Sequence, residues 1–148
     1  MKISEIMQTD VIAVEAETPV KEVAQKLVDN NITGMPVVKG DEVIGLVTEA
    51  DLIMQKAKIH IPMYIQLLDS ALFLEDTAEV EEDLNKILGM TAEKIMTNQV
   101  VTIDVDDTVE NLATLIEEHH INPIPVTEKN KLVGIVSRAD IVKLLIRE

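Results

Sequence analysis

Apolar and polar positions alternate between two periods along this chain. A short apolar run, VIAV at Val11 to Val14, reads as a strand. Val20, Val23, Ala24, Leu27 and Val28 then fall on one stripe at helical spacing, with Thr18 as N-cap and Pro19 in the first turn. Two strands follow, MPVV and VIGLV, around a turn near Lys39-Gly40-Asp41. A closing helix is expected to begin at Thr48.

The same order returns later. VVTI at Val100 to Ile103 reads as a strand, and Val109, Leu112, Ala113 and Ile116 as a helix stripe. That helix has a candidate capping box in Asp107 and Glu110. IPV and LVGIV flank a turn near Lys129-Asn130, and a helix opens at Ser137. Shifting the chain by 89 positions aligns the two patterns without a gap. Ile6-Met7 falls on Ile95-Met96, Pro36-Val37 on Pro125-Val126, Gly45 on Gly134, and Ala50-Asp51 on Ala139-Asp140. The unit is strand–helix–strand–strand–helix. One face of its small sheet is left bare, and the other copy is the obvious cover. The expected fold is mixed α/β, with two pseudo-twofold-related units packed sheet to sheet. The expected divisions are 1–58 for the first unit, 59–89 for a helical insertion and 90–148 for the second unit. The insertion carries an apolar run from Ile65 to Leu74. A further helix is expected behind Thr77, with Val80, Leu84, Ile87 and Leu88 on one face and Gly89 as its stop. It reads either as extra core or as a dimer contact.

Composition narrows the chemistry. Tyr64 and Phe73 are the only aromatics, so the core is aliphatic. No cysteine is present, which excludes disulfides, thiolate metal sites and thiol nucleophiles. The net charge is -14, with 13 basic residues scattered among 27 acids, which argues against a nucleic-acid partner. No stretch reaches the about 18 apolar residues of a membrane span. MKISEIMQTD holds no long apolar run, so no signal peptide is expected. A cytoplasmic location fits these features.

Candidate chemistry centres on GLVTEAD, Gly45 to Asp51, and GIVSRAD, Gly134 to Asp140. A hydroxyl followed three residues later by an acid is a capping box. The shorter reach of aspartate, and the position between a strand and a helix N-terminus, admit a second role. A carboxylate there can accept from a ribose diol, and the helix end favours anions. Thr33 to Val38 and Asn122 to Val126 are stiff turns feeding strands. They read either as plain connections or as an apolar slot, with Met35 and Ile124 placed to sandwich a planar base. Glu117, Glu118, His119 and His120 do not converge on one ion, because helical neighbours point about 100° apart. No metal site and no catalytic residue is expected. Phosphate-loop, dinucleotide and zinc-protease patterns are absent from the sequence.

These motifs together resemble a tandem pair of CBS (cystathionine β-synthase) domains, often called a Bateman module. The residues carrying the resemblance are IM-x-x-x-V in each half, GMPVV and PIPV, and above all GLVTEAD and GIVSRAD. The resemblance implies two clefts between the units and an adenine-containing ligand: AMP, ADP, ATP or S-adenosylmethionine. It implies that Asp51 and Asp140 hold ribose hydroxyls and that Thr48 and Ser137 touch ribose or phosphate. Thr33, Gly34, Met35 and Pro36 would line one base pocket; Asn122, Ile124 and Pro125 would line the other. Thr9 and Val11, then Asn98 and Val100, would face the clefts. Arg138 stands where the first copy has Glu49, so the Asp140 cleft is expected to prefer phosphorylated nucleotides. The implied function is a non-enzymatic sensor that needs no cofactor, forms a homodimer and relays ligand occupancy to a separate target protein. The alternative is a constitutive dimerisation or adaptor module without a ligand.

Overall fold

The structure is a computed structural model and describes residues 1–57, 82 and 85–147. The first unit comprises β1 (Val14–Glu15), α1 (Val20–Asp29), β2 (Gly34–Lys39), β3 (Glu42–Thr48) and α2 (Glu49–Ala57). A short helix, α3 (Ala92–Ile95), precedes the second unit. That unit comprises β4 (Ile103–Asp104), α4 (Val109–His119), β5 (Ile124–Glu128), β6 (Lys131–Val136) and α5 (Arg138–Arg147). Each unit holds a three-stranded sheet in the order β1-β2-β3 or β4-β5-β6. The first pair in each sheet is parallel and the second antiparallel. The fold is therefore the expected mixed α/β pair. Ile65 to Leu74, Thr77, Val80 and Leu84 of the expected insertion lie outside the described residues. Residues 85–88 are helical and Gly89 follows in a turn.

The helix stripes make two cores. Val20, Val23 and Leu27 of α1 pack with Met35, Val37 and Val47; Leu112 of α4 packs with Ile124, Val126 and Val136. Val28 and Ala113, at the edges of the stripes, are exposed. Gly34, Pro36, Gly45 and Leu46 are buried as well. Each sheet is covered by helices on one face and by the other unit on the opposite one, so its central strands read as continuous apolar runs.

The two units exchange their leading segments. Ile3 belongs to the second core, with Ile6 and Met7 packed beside it. Ala92 and Ile95 belong to the first core, with Met96 packed beside them. The hydrogen bonds repeat at the offset of the duplication. Ile3 N–H donates to Asp107 O at 2.9 Å, and Ala92 N–H donates to Thr18 O at 2.8 Å. Gln8 exchanges backbone bonds with Ile135, and Thr97 with Leu46. Gly45 and Gly134 make this possible. A Cβ on Gly134 would lie 2.6 Å from Met7 Sδ and 3.0 Å from Gln8 O, and one on Gly45 would collide with Met96. The shared IM and Gly positions of the repeat are two sides of one contact, made across the units rather than within them.

The exchange also corrects several local expectations. The first strands are Val14–Glu15 and Ile103–Asp104, later and shorter than Val11 to Val14 and Val100 to Ile103. The chain ahead of them is drawn onto the opposite sheet at Gln8 and Thr97. Pro19, not Thr18, is the N-cap of α1. Val20 N–H donates to Met90 O at 2.7 Å instead, while Thr18 Oγ1 accepts from Glu15 N–H at 3.1 Å. In α4 the cap is Thr108, whose hydroxyl accepts from Asn111 N–H at 3.2 Å. Asp107 accepts from Thr108 N–H and from the Asn111 side chain, so no Asp107–Glu110 box forms.

Candidate functional site

The C-terminal ends of β3 and β6 turn into α2 and α5 where the two units meet. At each turn the aspartate curls back on its own helix start. Asp51 Oδ2 accepts from Thr48 N–H at 2.8 Å and from Thr48 Oγ1 at 3.2 Å. Asp140 Oδ2 accepts from Ser137 N–H at 2.8 Å and from Ser137 Oγ at 3.2 Å. Aspartate is thus long enough to close a capping box here.

Each aspartate also lines a cleft. The first cleft, about 540 Å³, is bounded by Thr48, Glu49 and Asp51 of one unit and by Thr97, Gln99, Val100, Val101, His120, Ile121, Asn122 and Arg138 from beyond the repeat boundary. The second, about 450 Å³, is bounded by Ser137, Ala139, Asp140 and Lys143 and by Gln8, Asp10, Ile12 and the stretch Asn30 to Gly34. Their linings correspond under the 89-residue shift: Gln8 with Thr97, Asp10 with Gln99, Ile12 with Val101, Asn31 with His120. Thr33 and Asn122 border both clefts, so the wall between them lies at the pseudo-twofold axis. Gly34 and its repeat counterpart Pro123 meet there. A Cβ on Gly34 would sit 2.9 Å from Pro123 Cδ, so only one of the two copies has room for a side chain.

The CBS domain family model matches residues 3–58 and 92–147, both units of the duplication. The chain belongs to the CBS domain family. Among solved structures, the CBS domain of a membrane protein from Sphaerobacter thermophilus is 31% identical with a TM-score of 0.73, covering 100% of this chain and 90% of that one. CBSX2 in complex with AMP (22% identity, TM-score 0.75) and the CBS domain pair of MJ0100 in complex with 5′-methylthioadenosine and S-adenosylmethionine (22%, 0.71) each cover 99% of this chain and 97% of theirs. These last two are likenesses of fold. Among curated relatives, a homoserine O-acetyltransferase from Methanosalsum zhilinae is 28% identical over 97% of this chain, which spans only 24% of that protein.

Within the CBS pair, the residues expected at the site divide into four groups. Asp51, Thr48, Thr33, Asn122, Val100, Asp140, Ser137 and Gly34 line the clefts. Met35, Pro36, Ile124 and Pro125 do not. All four are fully buried, Met35 and Ile124 in the cores of the two units, so a base sandwich from Met35 and Ile124 does not fit their placement. Thr9, Val11 and Asn98 also line neither cleft, because the bridges at Gln8 and Thr97 set which residues of these segments face inward. Arg138 lies in the Asp51 cleft, not beside Asp140, and its backbone N–H donates to Asn122 Oδ1 at 2.8 Å. The premise that gave the Asp140 cleft a guanidinium is therefore corrected. Sequence reasoning missed Gln8, Asp10, Ile12, Gln99, Val101, His120 and Lys143. His120, whose φ is 53° at the C-cap of α4, joins the Asp51 cleft through that turn. The signal that was available is the repeat itself: cleft positions recur at the same offset in both halves.

Proposed function

We propose that this CBS pair is a regulatory module, not an enzyme, that binds an adenine ribonucleotide or S-adenosylmethionine between its units and relays occupancy to a partner protein. The carrying observation is the pair of motif aspartates, each at a helix start and each lining an inter-unit cleft. Fold relatives captured with AMP and with S-adenosylmethionine support the ligand class. In this reading Asp51 or Asp140 accepts from the ribose diol, Thr48 or Ser137 meets ribose or phosphate, and Thr33 and Asn122 border the ligand from the axis. Val100 and Gly34 complete the walls. Arg138 supplies the cation for a phosphate in the Asp51 cleft. A ligand that touches both units shifts their relative arrangement only as far as it binds one arrangement better than another.

A homodimer is part of this proposal. Ile53 of α2 and its repeat counterpart Val142 of α5 are 65% and 54% exposed, and Leu145 and Ile146 of α5 are exposed as well. No described helix is long and apolar enough to cross a membrane, and a cytoplasmic location is proposed on the cysteine-free, acidic composition.

A thermal-shift series with AMP, ADP, ATP and S-adenosylmethionine tests the ligand. A ligand held 100-fold above its dissociation constant adds about 2.7 kcal/mol to stability. A rise with one of these compounds, reduced for its 2′-deoxy form, is the expected result. No rise with any of them favours the constitutive dimerisation module.

A further inference from the structure

The two aspartates repeat in sequence, yet they are not equally available. Asp140 is 5% exposed. Its Oδ2 is committed to Ser137, and its Oδ1 accepts from Gln8 Nε2 at 3.2 Å. Both carboxylate oxygens are thus occupied from within the protein. Asp51 is only half-buried, and its Oδ1 accepts from no described residue. The cause lies at one position. Gln8 and Thr97 are repeat counterparts on the exchanged segments, both held by backbone bonds to the facing sheet. The glutamine side chain spans the gap to the aspartate; a threonine hydroxyl, two carbons shorter, does not. A diol entering the Asp140 cleft has to displace an amide donor that imitates it. Among the described residues the Asp51 cleft has no such competitor, and it also holds Arg138.

We infer that the clefts are unequal because Gln8 plugs the second one: the Asp51 cleft is the ribonucleoside monophosphate site, and Gln8 withholds Asp140 from the ligand. This rests on the adenine-ligand reading above.

Titration calorimetry with AMP on the intact chain tests it. Wild type binds one AMP per chain, and Asp51→Asn removes that site while Asp140→Asn keeps it. Gln8→Thr, which copies the other half, adds a second site that Asp140→Asn then abolishes. Thr97→Gln, at an exposed position, installs the plug beside Asp51 and weakens AMP by about 10- to 100-fold, the loss of one hydrogen bond to a charged group. Two equal sites in wild type, a single site that depends on Asp140, or a Gln8→Thr protein that still binds one AMP overturns the plug while leaving the adenine reading intact. No AMP binding by any of these proteins overturns the monophosphate assignment of the Asp51 cleft, and no binding of AMP, ADP, ATP or S-adenosylmethionine overturns the adenine reading as well.

Discussion

Asp140 does structural work that Asp51 shares only in part. Removing its buried side chain strands Ser137 N–H, the Ser137 hydroxyl and the Gln8 amide, which are themselves only partly buried. Asp140→Ala is expected to cost about 1–3 kcal/mol in urea unfolding, and Asp51→Ala less, because water reaches the groups it leaves. An equal loss at both positions would mean that Gln8 contributes nothing to stability. Gly134 gives a second test at this scale. Gly134→Ala places a methyl against Met7 Sδ and Gln8 O, an overpacking worth about 1–3 kcal/mol. Adding Met7→Ala should recover part of that loss, whereas simple additivity of the two would place the clash elsewhere. The capping box was legible in the spacing Thr48 to Asp51 and Ser137 to Asp140. The use of the second oxygen was not, because its donor, Gln8, lies 132 residues away in the chain.

Helices announced themselves and first strands did not. A stripe at i, i+3 and i+7 registers burial directly, and Val20, Val23 and Leu27 are 1%, 0% and 4% exposed. Leu112→Ala, at the centre of the second core, is expected to cost about 2–5 kcal/mol. Val28→Ala, on the outer edge of α1, is expected to stay within about 0.5 kcal/mol. Comparable losses at the two sites would deny the two-core description. VIAV and VVTI look like full strands because apolar residues also line clefts and cover a neighbour. Ile12 and Val101 are turned to those uses, and only two residues at each site join a ladder. Met35 and Ile124 misled for the opposite reason. Beside a stiff turn they read as exposed apolar contacts, while the pleat directs them into the helix-covered face, where both are 0% exposed.

The whole molecule is a pair whose halves complete each other. Neither block 1–58 nor block 90–148 contains the whole of its core, since Ala92 and Ile95 serve the first and Ile3 serves the second. A fragment spanning 9–97 should therefore retain protected amides in β2 and β3 on hydrogen exchange, and a fragment spanning 1–58 should not. Equal protection in both would show that the donated segment is dispensable. In the proposed homodimer, Leu145→Lys, on the exposed face of α5, should shift sedimentation toward the monomer while leaving the unfolding midpoint of the monomer nearly unchanged; an unchanged sedimentation would take this face out of the proposed contact. The duplication was plain from the 89-residue offset, and with it the pairing of two sheets. The crossing of the leading segments was not, because each of Ile3, Met7, Ile95 and Met96 is equally apolar whichever core receives it.

That crossing sets a timetable for synthesis. The first core waits for Ala92 and Ile95, long after its own helices have left the ribosome. The second core needs Ile3, which is made before the rest of that core and has to wait until Val136 emerges. At about 5–20 residues per second the interval is on the order of ten seconds. Throughout it the emerging chain holds an apolar segment whose place in the fold does not yet exist.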